Sequence, residues 1–508
     1  MSPIYLTTPI YYVNDKPHIG HAYTSLATDV LARWHRLAGR EVYFLTGTDE
    51  HGQKVEKAAQ DAGEEPQAFT DRVSQAFRDL TVTMGFSNDG FIRTTEPRHH
   101  AACQALWQRL VERGQIYLGA YEGWYAVRDE AFYGPDELTE REGVKYAPSG
   151  APVEWVREPS YFFKLSEWSG KLLEFYETHP DFIAPASRRN EVISFIKSGL
   201  SDLSISRTSF RWGVPVPGDD AHVMYVWMDA LTNYITALGY PDEKTELWKF
   251  WPADVHFVGK DILRFHAIYW PAFLMAAELP PPRRVFAHGW WTNEGQKISK
   301  SLGNVIDPLA LVEEFGLDPV RYFLLREVPF GQDGDFARGA LVNRLNGELA
   351  DVLGNLANRT LSLIQRNCEG KLPAAAAPAE ADAALIRPLH ILSETVGKLL
   401  ESQQYHIALE EIFAQVRGAN GYITLQAPWA LKKTDPVRMT EVLRHLHTAL
   451  RAYATVLQPF MPGSMDALLD QLGVPAEARS LAALTTPMPE GLALPAPSPL
   501  FRKVENAG

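Results

Sequence analysis

The feature that most constrains this chain is a strand, a helix and a second strand within its opening stretch. Ile4-Tyr5-Leu6-Thr7-Thr8 suits a short strand. Pro9 and Asn14-Asp15-Lys16-Pro17 punctuate a loop. From His21 to Leu37 the apolar residues Leu26, Val30, Leu31, Trp34 and Leu37 recur at helical spacing, and Gly39 offers a stop. Val42-Tyr43-Phe44-Leu45 reads as the second strand, ending at Thr46-Gly47-Thr48-Asp49. Such a unit requires parallel pairing and a right-handed crossover. In parallel sheets, ligands bind beyond the carboxyl ends of the strands. The two polar clusters of this stretch, residues 18–21 and 49–51, fall there.

Residues 53–115 read as mainly helical. Residues 117–215 are rich in Tyr, Trp, Gly and Pro with strand-like pieces, the signature of an insertion. The α/β pattern returns over 220–305, with Val223-Met224-Tyr225-Val226-Trp227 read as one of its strands. From about 345 the chain reads as helical, broken by a proline-flanked loop at 373–378. No internal repeat is evident. A length of 508 residues gives room for several cores, and 46% hydrophobic with 22% charged residues excludes a disordered chain. Two cysteines, Cys103 and Cys368, build neither a disulfide framework nor a four-thiolate metal site, which points to a reducing cytoplasm. No apolar run approaches the roughly 20 residues of a membrane span, and the N-terminus lacks a secretory pattern. The net charge of −13 argues against a protein coated with nucleic acid, but permits a local basic contact surface.

Two short motifs carry chemistry. Pro17-His18-Ile19-Gly20-His21 stands at the start of the first helix. Helix N-termini attract phosphate through unpaired amides and positive partial charge, and two imidazoles add hydrogen-bond donors. Taken alone, the pair reads more readily as surface histidines beside a cap. Lys297-Ile298-Ser299-Lys300-Ser301 lies between Gly295 and Gly303. Its ammonium groups suit charge that builds on transferring phosphates, and alone it also fits a solvated basic loop.

Together the two motifs resemble the paired signature of class I aminoacyl-tRNA synthetases. Within that class the chain is similar to the methionyl-tRNA synthetase family. The resemblance rests on Tyr11-Tyr12-Val13-Asn14, Thr46-Gly47-Thr48-Asp49-Glu50-His51-Gly52, Tyr225-Val226-Trp227-Met228-Asp229-Ala230, Gly259-Lys260-Asp261-Ile262-Leu263-Arg264-Phe265-His266, Asn355-Leu356-Ala357-Asn358-Arg359 and Ala427-Pro428-Trp429. It implies a Rossmann-like parallel-sheet catalytic domain split by an insertion and followed by an all-α anticodon-binding domain. The expected boundaries are 1–116 and 219–344 for the two catalytic halves, 117–218 for the insertion that places the acceptor end of the tRNA, and 345–508 for the helical domain.

The implied reaction joins methionine to ATP, releases pyrophosphate, and passes the methionyl group to tRNA(Met). By resemblance, His18 and His21 contact the phosphates, Lys297 and Lys300 stabilise the leaving pyrophosphate, and Gly20 leaves room for adenine. Asp261 and Ser299 complete the ATP site, and Mg²⁺ travels with ATP. Asp49 pairs with the α-ammonium. The thioether slot maps onto Ile10, Tyr12, Trp227, Ala230, Tyr234, Ile262, Phe265, His266 and Trp270, where aromatic edges suit a polarisable sulfur. For Trp227 and Trp270 the plain alternative is core packing. Asn355, Arg359, Pro428 and Trp429 map to the anticodon site, where loop bases are read by stacking and edge hydrogen bonds.

A leucine or valine enzyme of the same class is the nearest rival, but one methylene discriminates by only about 1–3 kcal/mol, and an editing domain has no room here. An inactive RNA-binding regulator would not need the four His and Lys residues, and a nucleotidylyl transferase would not need Asn355, Arg359 and Trp429. Relatives with an added C-terminal dimerisation module are longer, so the sequence reads as a monomer. Many relatives also carry Cys-x-x-Cys zinc knuckles in the insertion. Here residues 117–155 contain neither Cys nor His, and structural zinc sites are built from thiolates and imidazoles. The insertion is therefore expected to hold by packing of Trp124, Tyr125, Phe132, Tyr133 and Trp155. Elemental analysis of the purified protein is expected to find less than one zinc per chain; a stoichiometric zinc would contradict this reading.

Overall fold

The computed structural model describes residues 2–505 apart from 15, 300 and 301. Its centre is a seven-stranded sheet in which every pairing is parallel. β1 (Ile4–Thr7) is followed by the short β2 (Tyr11–Tyr12), α1 (Ile19–Leu37) and β3 (Val42–Asp49). β1 pairs with β3 on one side and with the strand Val255–Gly259 on the other. The sheet continues through Val285–His288 to Ile183–Ala184. The chain therefore leaves β1 in one direction and returns later on its other side. The switch point, where parallel sheets open a crevice, lies at the carboxyl ends of β1 and 255–259.

The local elements follow from the sequence with instructive differences. α1 ends at Ala38, and Gly39 takes the left-handed φ of 78° that closes the helix. β3 runs through Asp49, where two further strands pair with its end: Tyr12 opposite Asp49, and Arg93 opposite Thr48. A Cβ on Gly47 would meet the carbonyl oxygen of Ile92 at 2.0 Å, so this pairing needs glycine. α2 (Gln53–Asp61) and α3 (Pro66–Thr83) precede β4 (Gly90–Arg93), which interrupts the helical reading of this region, and α4 (Pro97–Glu112) follows. The expected strand over 223–227 is split. Met224 ends the strand Asp219–Met224, Tyr225 turns the chain, and Val226 opens the helix Val226–Thr236. A short apolar run cannot distinguish a buried strand from a buried helix.

β5 (Ile116–Ala126) and the strand Glu154–Phe163 form the long antiparallel ladder of the insertion. Its cysteine-free turns are closed by polar contacts. Asp129 accepts hydrogen bonds from Tyr133 Oη at 2.8 Å and from the Ser149 hydroxyl, and Arg128 donates to the Ser149 carbonyl. Beneath them Ala126, Ala147, Ala151 and Val153 pack with Trp124 and Tyr133. Ile183–Ala184, inside the stretch assigned from sequence to the insertion, belongs to the central sheet.

The C-terminal part is helical, including Asn355–Asn367, Ala383–Glu401, Tyr405–Gln426 and Pro436–Leu457. It covers the outer side of α1, which is therefore buried nearly all round. Trp34 packs on Gly397, where a Cβ would lie 3.2 Å from the indole, and Tyr405 Oη donates to the Ala27 carbonyl at 2.7 Å. Among the described residues no helix is long and apolar enough to cross a membrane.

Arg321 and Asp29, both fully buried, join these parts. Arg321 donates to Asp29 at 2.7 Å and to the carbonyls of Met84, Pro459 and Phe460. Against the cost of burial, Arg321 and Arg33 hold the Asp29 carboxyl below its usual range. Removing one partner of such a pair leaves an uncompensated charge. Arg321→Ala is expected to cost about 3–5 kcal/mol, read from the midpoint of urea unfolding of the full chain; a loss under about 0.5 kcal/mol, typical of surface substitutions, would contradict the role given to this pair.

Candidate active site

A cavity of about 500 Å³ opens at the switch point. Its first wall is the start of α1. His18 caps the helix: its Nδ1 accepts from the Gly20 amide at 3.1 Å, while His21 Nδ1 accepts from the His18 amide at 3.0 Å. Both rings are thereby fixed with Nδ1 as acceptor, which leaves Nε2–H on each as the outward donor of a neutral imidazole. Burial, and then His18, hold His21 well below the usual imidazole range. The rings lie 3.9 Å apart, and Tyr11 and Phe77 pack edge-on against His21. A Cβ on Gly20 would stand 2.9 Å from His18 Cε1, so the glycine makes room for the capping imidazole itself.

The opposite wall comes from the second half of the sheet. Gly259, Asp261, Ile262, His288, Gly289 and Trp290 line the cavity. Asp261 accepts from the Trp290 indole at 3.3 Å, and His288 Nε2 lies 2.6 Å from the Thr24 hydroxyl, tying α1 to this wall.

Asp49 closes one end. It is buried at the last position of β3, and one carboxylate oxygen has no partner among the described residues. Burial, with Asp229 and Glu130 nearby, pushes its carboxyl well above the usual range. Asp229 has the opposite balance. Despite burial, His51 at 2.6 Å and His99 at 2.7 Å hold it well below that range. Cys103 completes this chain at 3.2 Å from His99. Glu50 accepts from Arg93, Thr48 and Thr95. Of Asp49, Asp229 and Glu50, Asp49 is the one that faces the cavity.

Of the residues assigned to an apolar slot, Ile10, Tyr12, Trp227 and Ile262 line the cavity. Ala230, Tyr234, Phe265, His266 and Trp270 form the layer behind them. Phe265 stacks on Trp227 at 3.9 Å, and Tyr234 donates to His266 Nε2 at 2.6 Å while His266 Nδ1–H faces the Ile262 carbonyl at 3.0 Å. Burial lowers His266 to about 4, consistent with a neutral ring of this tautomer. Trp270 donates to His256 at 3.2 Å.

The lysine motif follows a hairpin. Gln296–Lys297 pairs with Trp291–Asn293, and Ile298 lines the cavity. Asn304 braces the loop, accepting from the Ser299 amide at 2.8 Å and donating to the Lys297 carbonyl at 3.0 Å. Just beyond, the Ile306 carbonyl accepts from the Ile19 amide at 3.1 Å, so the two distant motifs are joined by a backbone hydrogen bond. Lys297 is exposed and does not line the cavity; Lys300 lies outside the described residues.

Far from this cavity, Arg359 lies 5.5 Å over the ring of Trp429, which is 47% exposed. Asn355 is one helical turn before Arg359, and buried Pro428 starts the helix carrying Trp429, after the left-handed corner at Ala427. Sequence reasoning missed Thr24, Glu130, His288 and Trp290 as cavity residues. His288 ends a strand of the sheet and Trp290 stands just after it, the position that parallel-sheet rules single out. Glu130 had no such signal, since the insertion delivers it from another sheet.

A parallel sheet with a crevice at its switch point and a histidine-capped helix start, tied by the Ile19–Ile306 hydrogen bond to the segment after the lysine motif, agrees with a class I tRNA synthetase. A family model described as tRNA synthetases class I (M) matches residues 4–361, and one described as the anticodon binding domain of methionyl tRNA ligase matches residues 372–508. The chain belongs to the methionyl-tRNA synthetase family of aminoacyl-tRNA-forming ligases. It is 57% identical over 505 residues to the methionine–tRNA ligase of Brucella suis biovar 1, covering 99% of this chain and 98% of that one. The identity to the Rickettsia bellii methionine–tRNA ligase is 60% over 481 residues, covering 94% and 93%. Among solved structures, Mycobacterium tuberculosis methionyl-tRNA synthetase in complex with methionyl-adenylate matches with a TM-score of 0.97 at 50% identity, covering 99% of this chain and 100% of that chain.

Proposed function

We propose that this chain activates methionine with ATP to methionyl-adenylate and pyrophosphate, then transfers the methionyl group to the 3′ end of tRNA(Met). The observation that carries this reading is the unpartnered, buried Asp49 oxygen at one end of a cavity whose other wall is a helix N-terminus with two imidazole donors. One end suits an ammonium group and the other a phosphate chain. Two reactants, one anchored by its ammonium group and the other by its phosphates, are held in a single cavity that brings carboxylate and α-phosphate together.

In this reading His18 and His21 donate from Nε2 to phosphate oxygens. Lys297 and Lys300 neutralise charge on the departing pyrophosphate. Gly20, Asp261 and Ser299 complete the nucleotide site. No covalent enzyme intermediate is needed, and catalysis is orientation plus charge stabilisation. Mg²⁺ accompanies ATP on the phosphate oxygens. Asp49 binds the α-ammonium, a charged hydrogen bond worth about 1.5–3 kcal/mol. Ile10, Tyr12, Trp227 and Ile262 enclose the thioether, backed by Ala230, Tyr234, Phe265, His266 and Trp270.

Residues 117–218 act as the acceptor-end insertion between catalytic halves 1–116 and 219–344, and residues 345–508 read the anticodon through Asn355, Arg359, Pro428 and Trp429. The turns of the insertion offer carboxylate, hydroxyl, phenol and guanidinium groups, a set that does not fit structural zinc. The enzyme works as a monomer and in the cytoplasm, where thiols such as Cys103 and Cys368 stay reduced.

ATP–pyrophosphate exchange measured with each of the twenty amino acids is expected to respond to methionine only; exchange with leucine, or with none, overturns the reading. Trp429→Ala is expected to leave exchange intact and to cut charging of tRNA(Met) at least about fivefold, since base stacking is worth about 1–3 kcal/mol. Equal loss of both activities would contradict an anticodon role.

A further inference from the structure

Glu130 comes from the insertion yet lies in the wall of the catalytic cavity. Its backbone takes the left-handed φ of 50°, a conformation that side-chain-bearing residues rarely adopt. Its side chain is buried, with Oε1 accepting from Tyr12 Oη at 2.5 Å and from the Lys54 amide at 3.2 Å. The receiving surface is shaped to it. A Cβ on Gly52, at φ 109°, would lie 2.6 Å from that oxygen and 2.9 Å from Tyr12 Oη. A strained backbone, a glycine that clears the way and a buried carboxylate beside a second buried carboxylate are costly together unless they serve the site.

We propose that Glu130 is a positioning residue for the amino acid: it anchors Tyr12 at the cavity wall and supplies a second negative charge near Asp49, so the ammonium site is complete only when the insertion is seated against Gly52. This rests on the reading of Asp49 as the ammonium anchor. The consequence is a mechanical link. Whatever shifts the insertion, above all a tRNA acceptor end resting on it, also shifts Tyr12 and the charge that the ammonium sees.

The charged and titratable neighbours set the pH behaviour. Asp49 faces Asp229, Glu130 and Glu50, with the His51 amide as its donor. Glu130 faces Tyr12, Lys54 and Arg207. Glu130 raises the Asp49 carboxyl, so removing its charge lets Asp49 ionise at lower pH. The same removal weakens attraction for the ammonium group.

The test compares Glu130→Gln, Tyr12→Phe and Asp49→Asn by methionine-dependent exchange across about pH 5 to 8. A second probe is binding of 4-(methylthio)butanoate, methionine without its amino group. For Glu130→Gln the expected result is a methionine KM about tenfold higher near neutrality, an acid limb moved to lower pH, and unchanged binding of the des-amino probe. Tyr12→Phe, which keeps the carboxylate, is expected to raise the methionine KM and leave the acid limb in place. It also decides the matter if Glu130→Gln folds poorly. The proposal is overturned if Glu130→Gln leaves both KM and acid limb unchanged, if it weakens the des-amino probe equally, or if Tyr12→Phe leaves the methionine KM unchanged. Asp49→Asn with an unaltered methionine KM would instead sink the underlying reading of Asp49.

Discussion

The buried pair of Arg321 and Asp29 is the contact on which the arrangement of this molecule turns. Asp29 sits in the middle of α1, the helix whose first turn forms the phosphate wall. Its carboxylate accepts from Arg33, Arg321 and both the amide and hydroxyl of Ser87. Arg321 reaches in turn to carbonyls on either side of the boundary between the sheet domain and the helical part. An ion pair with no exposure contributes to stability only when its remaining donors and acceptors are satisfied, and here they are. A shift of the C-terminal helices therefore bears directly on the helix that carries His18 and His21.

The cavity is organised by opposed electrostatics in a small volume. At one end, backbone amides of α1 fix two imidazoles as donors, with burial keeping His21 neutral. At the other, one Asp49 oxygen has no partner while Asp229 and Glu50 have theirs. Asp229 is matched by His51 and His99, and Glu50 by Arg93. This division leaves one buried group able to gain from a cation. The insertion adds Glu130 to that end, and the hairpin before the lysine motif adds Ile298 to the other.

Much of this was legible because local chemistry and global topology agree. The spacing of Leu26, Val30 and Trp34 marks α1, and the polar residues after the first strand lie where a parallel sheet opens. The resemblance carried by several short motifs led to the family that the comparisons establish. Less legible were elements whose identity depends on partners. β4 is a short strand only because the end of β3 needs a neighbour. The run from Val223 to Trp227 divides between strand and helix because burial on all sides erases the alternation that would mark a strand. Phe265, His266, Tyr234 and Trp270 fall in the packed layer behind the cavity because stacking on Trp227 and hydrogen bonds among the rings hold them there.

What the sequence determined by itself was chemistry close along the chain: a helix start with two histidines and a glycine, a basic loop, an aromatic corner at Trp429, and a stretch over 117–155 with neither Cys nor His. Those features depend on neighbours within a turn or two. Only the tertiary structure decided which distant groups meet. It joined the Ile19 amide to the Ile306 carbonyl, brought Glu130 from another sheet to Tyr12, and left one Asp49 oxygen without a partner beside the paired Asp229 and Glu50. The physical reason is that burial and charge compensation depend on every segment packed around a group, and no spacing pattern within one segment encodes them.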